Sequence, residues 1–201
     1  MSAPQPQAVR AGVLALQGDV VEHLRALREA GAEAVREVRR PCDLDGLAAL
    51  VIPGGESTTI GKLMREYGLD DAIVRRVADG MCVFGTCAGM ILLASEIVDS
   101  EQPRLGLLPA RVRRNAYGRQ VDSFEARLPA PAVDPEPLEA VFIRAPWIES
   151  VGPGVEVLAK HGERIVLCRH RRILAASFHP ELTRDRRLHR YFLRLVGGVG
   201  V

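Results

Sequence analysis

The stretch "FGTCAGM", Phe84 to Met90, sets one cysteine between small residues and two glycines. G-x-C-x-G is the cysteine form of a nucleophile elbow, a strand-to-helix turn whose small flanking residues let a strained bend approach its neighbours. A helix amino terminus and a nearby imidazolium both favour the thiolate form of a cysteine, which is the nucleophile. Taken alone, the pattern leaves two readings even. Cys87 is either a nucleophile or a small thiol packed inside, the common fate of free cysteine and the reading adopted for Cys42, Cys82 and Cys168.

A nucleophile needs a base. Of the five histidines, His179 in "SFHPEL" is the best candidate, because "ILAASF" delivers it at the end of an apolar strand. Pro180 holds the local chain extended, and in an extended segment residues i and i+2 project to one side, so Glu181 can reach the imidazole and fix its tautomer. His23, His161, His170 and His189 are read as strand-end histidines on a satisfied surface, without a chemical role. A third stretch, "VIPGGES" (51–57), ends a strand in a glycine pair, where backbone N–H groups near Gly55 could converge on an oxyanion together with the N–H of Ala88. "GGESTTIGKL" is not a phosphate loop: that motif needs glycine at 56 and Ser or Thr at 63, where this chain has Glu56 and Leu63.

The elements that must position these groups alternate. Strand-like "VRAGVLAL" (9–16) leads to a helix over 19–31 with Val21, Leu24, Leu27 and Ala30 on its inward face. "EAVREV" (33–38) and "LAALVIP" (47–53) follow as strands, then helical patterns from 57 to about 79, the strand "MCVFG" (81–85) and a helix over 87–97. Such alternation predicts an α/β fold of three layers, a central mixed, mostly parallel sheet flanked by helices, with ligands bound beyond the carboxyl ends of the strands. From Gly106 the texture turns mostly β, "LPAPAVDPEPLEA" (128–140) reads as a proline-rich surface connection, and a last helix is expected over 183–196.

The bulk properties bound the function. The 201 residues suit one domain over 1–201, and 27 basic against 25 acidic residues leave a charge of +2, too weak a field to argue for nucleic acid or a membrane surface. The arginine runs "RVRRNAYGR" and "RHRR" have only Tyr117 as an aromatic among them, which also argues against nucleic acid. Four cysteines without a CxxC pair point to a reducing, cytoplasmic setting; the opening apolar run, interrupted by Gly12 and without a basic stretch before it, is not expected to act as a secretory leader, and no apolar run reaches membrane-spanning length.

Six ordered motifs, "GVLALQGDVVEH", "VIPGGESTTIGKL", "FGTCAGMILLA", "RNAYGRQVDSFEA", "VFIRAP" and "SFHPELTRD", closely resemble the glutaminase subunits of pyridoxal 5′-phosphate synthase, class I (triad-type) glutamine amidotransferases, over residues 11 to 193. "GTCAG" alone would support only some amidotransferase; "RNAYGRQVDSFE" and "FIRAP" narrow it. The resemblance implies the flavodoxin-like fold of that class, with Cys87 as nucleophile, His179 as general base and acid, and Glu181 as its orienting residue. It places the glutamine contacts on Gly55, Glu56, Ser57, Arg114, Ile143 and Arg144, and Gln17 resembles a family residue close to the oxyanion site. It further implies no metal and no cofactor, pyridoxal 5′-phosphate being the product of the complex, and a (β/α)8-barrel synthase subunit as partner that receives the ammonia. Two rival readings stand beside it: a glutaminase serving another synthase or a stand-alone γ-glutamyl hydrolase, and a non-catalytic binding module on the same fold. The one departure from the family pattern is Met81-Cys82 where a proline is expected, at the strand entry and away from the chemistry.

Overall fold

A computed structural model describes residues 9–114 and 123–198. The chain runs β1 (Arg10–Leu14), α1 (Val20–Glu29), β2 (Ala34–Val38), β3 (Ala49–Ile52), α2 (Ser57–Glu66), α3 (Leu69–Ala78), β4 (Cys82–Thr86), α4 (Ala88–Leu93), β5 (Ala94–Ile97) and β6 (Leu108–Arg113). It continues through β7 (Ser123–Ala130), β8 (Asp134–Ile143), β9 (Trp147–Val151), β10 (Glu156–His161), β11 (Arg164–His170), β12 (Ile173–Ala176) and α5 (Arg187–Val196).

One sheet carries the order β2-β1-β3-β4-β12-β11-β9-β6-β5, with β10 also paired to β11. From β2 to β12 every neighbour is parallel, as is the β5–β6 pair; β11 and β9 join the two ends antiparallel. The central strands β3 and β12 are apolar at every position because both faces are covered. In β3 all four residues are buried, and they alternate between two layers. Ala49 and Val51 pack with Leu24 and Leu27 of α1 and Tyr191 and Phe192 of α5. Leu50 and Ile52 pack with Ile60 and Met64 of α2, Ile73 of α3 and Leu92 of α4. These are the three layers that the alternation of elements predicts.

Four local expectations change. Val21 is 70% exposed, and the inward face of α1 is His23, Leu24, Ala26 and Leu27. At 100° per residue the stripe centred on those four puts Val21 on the far side. The helix expected over 87–97 stops at Leu93, and Ala94–Ile97 pairs with β6. A run as apolar as "MILLASEIV" fits either period, and the available sheet edge decides it. Residues 128–140 are not a surface connection but most of the β7–β8 ribbon, Leu128 facing Leu138 across it. A two-stranded ribbon has an open edge on each strand, where proline's missing N–H costs no ladder bond. The closing helix begins at Arg187 rather than 183, and β9 has no counterpart in the sequence reading. Residues 1–8, most of the "RNAYGRQVDSFEA" motif including Tyr117, and the last three residues lie outside the described residues.

Candidate active site

The elbow comes first. β4 lies between β3 and β12, and its last residue, Thr86, leads into Cys87, whose φ of 47° and ψ of −102° place a side-chain-bearing residue in a region L-residues rarely adopt. Its backbone N–H donates to Ala176 O at 2.8 Å, and its carbonyl accepts from Ile91 N at 3.3 Å, so the bend is pinned from β12 and from its own helix. Close approach explains the flanking glycines. A Cβ on Gly89 would lie 2.0 Å from Ile52 O, and one on Gly85 would lie 2.5 Å from the Gly89 carbonyl carbon. No side chain fits between α4 and the ends of β3 and β4.

His179 follows β12, one strand over from the elbow, with its N–H donated to Val141 O at 2.8 Å. It is 4% exposed, and its Nδ1 lies 2.7 Å from Glu181 Oε1. The sequence expectation of an extended His179–Glu181 segment is corrected: Pro180 opens a short 3-10 turn, Pro180–Leu182, and that turn returns the carboxylate to the ring. A second carboxylate, Asp19 at the entry to α1, also faces Nδ1, with Oδ2 at 3.2 Å. Burial alone would lower the His179 pKa, but hydrogen bonds with Asp19, Cys87 and Glu181 override it and hold the imidazolium well above the usual histidine range. Burial pushes the Glu181 carboxyl up while the His179 hydrogen bond pulls it down. Asp19 is lowered, chiefly by its hydrogen bond with His179. With Nδ1–H committed to carboxylates, the opposite ring nitrogen is the one left for thiol chemistry.

A cavity of about 420 Å³ opens in front of this pair. Its lining includes Gln17, Gly55, Glu56, Ser57, Cys87, Ala88, Arg114, Ile143, Arg144 and His179, so every candidate residue from the sequence except Glu181, which stands behind His179, meets here. Gly55 has φ +147°, and a Cβ on it would strike Gln17 Oε1 at 2.5 Å. That oxygen accepts the Glu56 N–H at 2.8 Å, tying the loop after β1 to the loop after β3.

Glu56 caps α2, accepting from Thr58 N at 3.0 Å and Thr59 N at 2.7 Å. Burial works against its charge, yet the hydrogen bonds from Thr59 and Thr58 hold the carboxyl down at about 2. Arg114 reaches across from the end of β6: Nη2 lies 3.3 Å from Glu56 Oε1, while Nη1 donates to Gln102 Oε1 at 2.5 Å and Thr58 Oγ1 at 3.2 Å. Arg144, at the end of β8, has φ 41°, so two of the four positive-φ residues other than glycine among those described line this one cavity.

Sequence reasoning missed several contributors. Asp19 had a signal, an acid at the start of the first helix, at the carboxyl end of the sheet. Gln102, which orients Arg114 and accepts from Ser57 Oγ at 3.3 Å, had none, since nothing local marks it. Ile91 and Pro146 add apolar wall.

A doubly wound α/β sheet with a strained cysteine elbow, and a histidine–carboxylate pair one strand away, is the build of the glutamine amidotransferases of class I type. The chain belongs to the SNO glutamine amidotransferase family, whose model matches residues 13–197. It is 60% identical over 185 residues to the "Pyridoxal 5'-phosphate synthase subunit PdxT" of Pelotomaculum thermopropionicum, covering 92% of this chain and 94% of that one. The protein of the same name from Thermus thermophilus is 60% identical over 188 residues, covering 92% and 97%. A solved structure described as "Crystal structure of glutamine amidotransferase" superposes with a TM-score of 0.88 at 58% identity, covering 93% of this chain and 98% of that one.

Proposed function

We propose that this chain is the glutaminase subunit of a pyridoxal 5′-phosphate synthase, hydrolysing L-glutamine to L-glutamate and ammonia. The observation that carries the reading is the convergence of Cys87, His179 and the strand-end loop Gly55–Ser57 on one cavity, in a chain so similar to synthase subunits of that name.

In this mechanism the Cys87 thiolate attacks the side-chain amide carbon of glutamine, forming a C–S bond and moving the carbonyl electron pair onto oxygen. Backbone N–H groups near Gly55 and Ala88 receive that oxyanion. As the C–N bond breaks, His179 gives its proton to the departing ammonia, and Glu181 keeps the ring oriented throughout. A water, deprotonated by the now neutral His179, then cleaves the γ-glutamyl thioester and releases glutamate. Glu56, ionised by its helix-capping bonds, faces the substrate's α-ammonium. Arg114 and Arg144 hold the α-carboxylate, and Ile143 bounds the chain length.

Ammonia is protonated in neutral water and loses its nucleophilicity, so the product needs sheltered delivery. The partner is therefore a synthase subunit, a (β/α)8 barrel, in a hetero-oligomer; this chain takes no cofactor or metal of its own and works in the cytoplasm. None of the described helices is long and apolar enough to cross a membrane. A thiol-trapping glutamine analogue tests the reading: with the partner present, mass spectrometry should find the label on Cys87. Label absent from Cys87 would mean a fold retained without its chemistry.

A further inference from the structure

Behind the cavity lies a buried group of polar side chains that the mechanism above leaves unused. His23 of α1, Thr86 at the end of β4 and His189 of α5 are each 0% exposed, as is Glu181. His23 Nε2 lies 3.0 Å from Thr86 Oγ1 and 3.3 Å from Glu181 Oε2, and His23 Nδ1 lies 3.3 Å from His189 Nε2. Glu181 Oε1 is engaged by His179, whereas buried Glu181 Oε2 has no hydrogen-bond partner among the described residues, the His23 Nε2 contact at 3.3 Å lying off the hydrogen-bond axis. The chain of contacts therefore runs from the ring that faces the cavity, through Glu181 and His23, to a second histidine on the far helix.

We propose that His23 is a positioning residue: its Nε2–H, directed at Thr86 Oγ1, sets the positive end of the ring dipole against Glu181 Oε2 3.3 Å away, and His189 fixes that tautomer by donating its own Nε2–H to His23 Nδ1. The proposal rests on the glutaminase reading for its kinetic consequence, but the tautomers follow from local physics. In the opposite arrangement, a bare His23 Nε2 would point its lone pair at a carboxylate oxygen 3.3 Å away, and the proton on His189 Nδ1 would have no acceptor. A buried N–H without an acceptor is rarer and costlier than a bare lone pair, and in the proposed arrangement the orphan is only the His189 Nδ1 lone pair.

Both rings stay neutral. Burial pushes His23 well below the usual range, with His189, His179 and Arg186 adding to it, and burial likewise takes His189 to about 3. A neutral donor steers Glu181 without cancelling the negative charge that His179 needs, as a protonated His23 would. The groups facing this chain are Asp19 and His23 from α1 and its entry, Cys87 beyond Thr86, His179 and Glu181 after β12, and Asp185, Arg186 and His189 at and before α5.

The direction of the pH effect follows. Removing the donor leaves the Glu181 carboxylate less stabilised, so it takes up a proton at higher pH, and the active form is lost sooner as pH falls. His23→Leu, assayed with the synthase subunit, should lower kcat about tenfold with KM for glutamine unchanged, and should move the acid limb of kcat/KM up by about one pH unit. His23→Gln, whose amide nitrogen reaches the Nε2 position, should restore both. Independently, long-range 15N–1H spectra of the 15N-histidine-labelled chain should show His23 and His189 as neutral Nε2–H tautomers across neutral pH. An Nδ1–H tautomer at His23, or a folded Leu variant with wild-type kcat and acid limb, overturns the proposal. Should the Leu variant not fold, the wild-type spectra and the Gln variant carry the test. If the wild type releases no ammonia at all, the functional reading falls, while the spectra still decide the tautomers.

Discussion

At the residue scale, the site concentrates unfavourable states that its surroundings compensate. Cys87 sits at φ 47° and Arg144 at φ 41°, backbone conformations that cost on the order of 1–3 kcal/mol each unless over-determined by neighbours. Around His179 two carboxylates, one fully buried, converge on a single ring nitrogen. Replacing Glu181 with Gln removes the charge and presents a donor or a weak acceptor to Nδ1, so kcat for ammonia release should fall on the order of 10³-fold or more with little change in KM. Arg114→Ala should do the reverse. Losing one charge-assisted contact to the substrate costs about 1.5–3 kcal/mol, so KM for glutamine should rise tenfold or more while kcat moves far less. Steady-state kinetics on the two variants separates orientation from binding. Cys87, His179 and Glu181 were legible in the sequence because each sits in a short pattern at a strand end. Asp19 and Gln102 were not singled out, since their importance comes from what the fold brings beside them.

At the element scale, what decides the structure is where edges and close approaches fall. The β3 and β4 strands were legible because burial on both faces forces continuous apolar runs, and α1 because its stripe repeats at the helical period. The stop of α4 at Leu93 and the β7–β8 ribbon were not legible, because a sheet edge or a cross-strand partner decides both and neither is local. Close approach gives one test: Gly89→Ala would drive a methyl into Ile52 O, so the variant should lose roughly 1–3 kcal/mol in denaturant unfolding, or fail to fold. A wild-type unfolding curve would contradict the tight elbow. The ribbon gives another. Arg187 at the start of α5 donates to Asp134, Asp185, Glu136 O and Pro137 O, fastening β8 to the helix. Asp185 is lowered although burial opposes it, through hydrogen bonds led by Arg187; Asp134 is lowered by the Glu136 N–H and then by Arg187. Groups whose folded pKa is depressed stabilise the protein above the ordinary carboxylate range and lose that contribution as pH falls through the folded value. The melting temperature should therefore drop on acidification, and drop less steeply in Arg187→Leu, where the carboxylates have lost their partner. Parallel pH profiles in thermal melts would remove Arg187 from that role.

At the scale of the whole molecule, the fold puts the site where a doubly wound sheet places ligands, in loops past the carboxyl ends of β1, β3, β4 and β12. The fold class was legible from the alternation of elements alone. The order of the later strands was not, since β11 pairs with β10, β12 and β9, three partners that no local pattern ranks. A net charge of +2 gives no field to draw in a partner, so the assembly with a synthase subunit must rest on local shape and contacts. The central claim is that this cavity turns glutamine into ammonia through Cys87. The most direct measurement is ammonia release from L-glutamine by the wild type and by Cys87→Ala, each with and without the synthase subunit. The account predicts release by the wild type, raised when the partner is present, and none by the variant in either case; equal rates from the two proteins would contradict it.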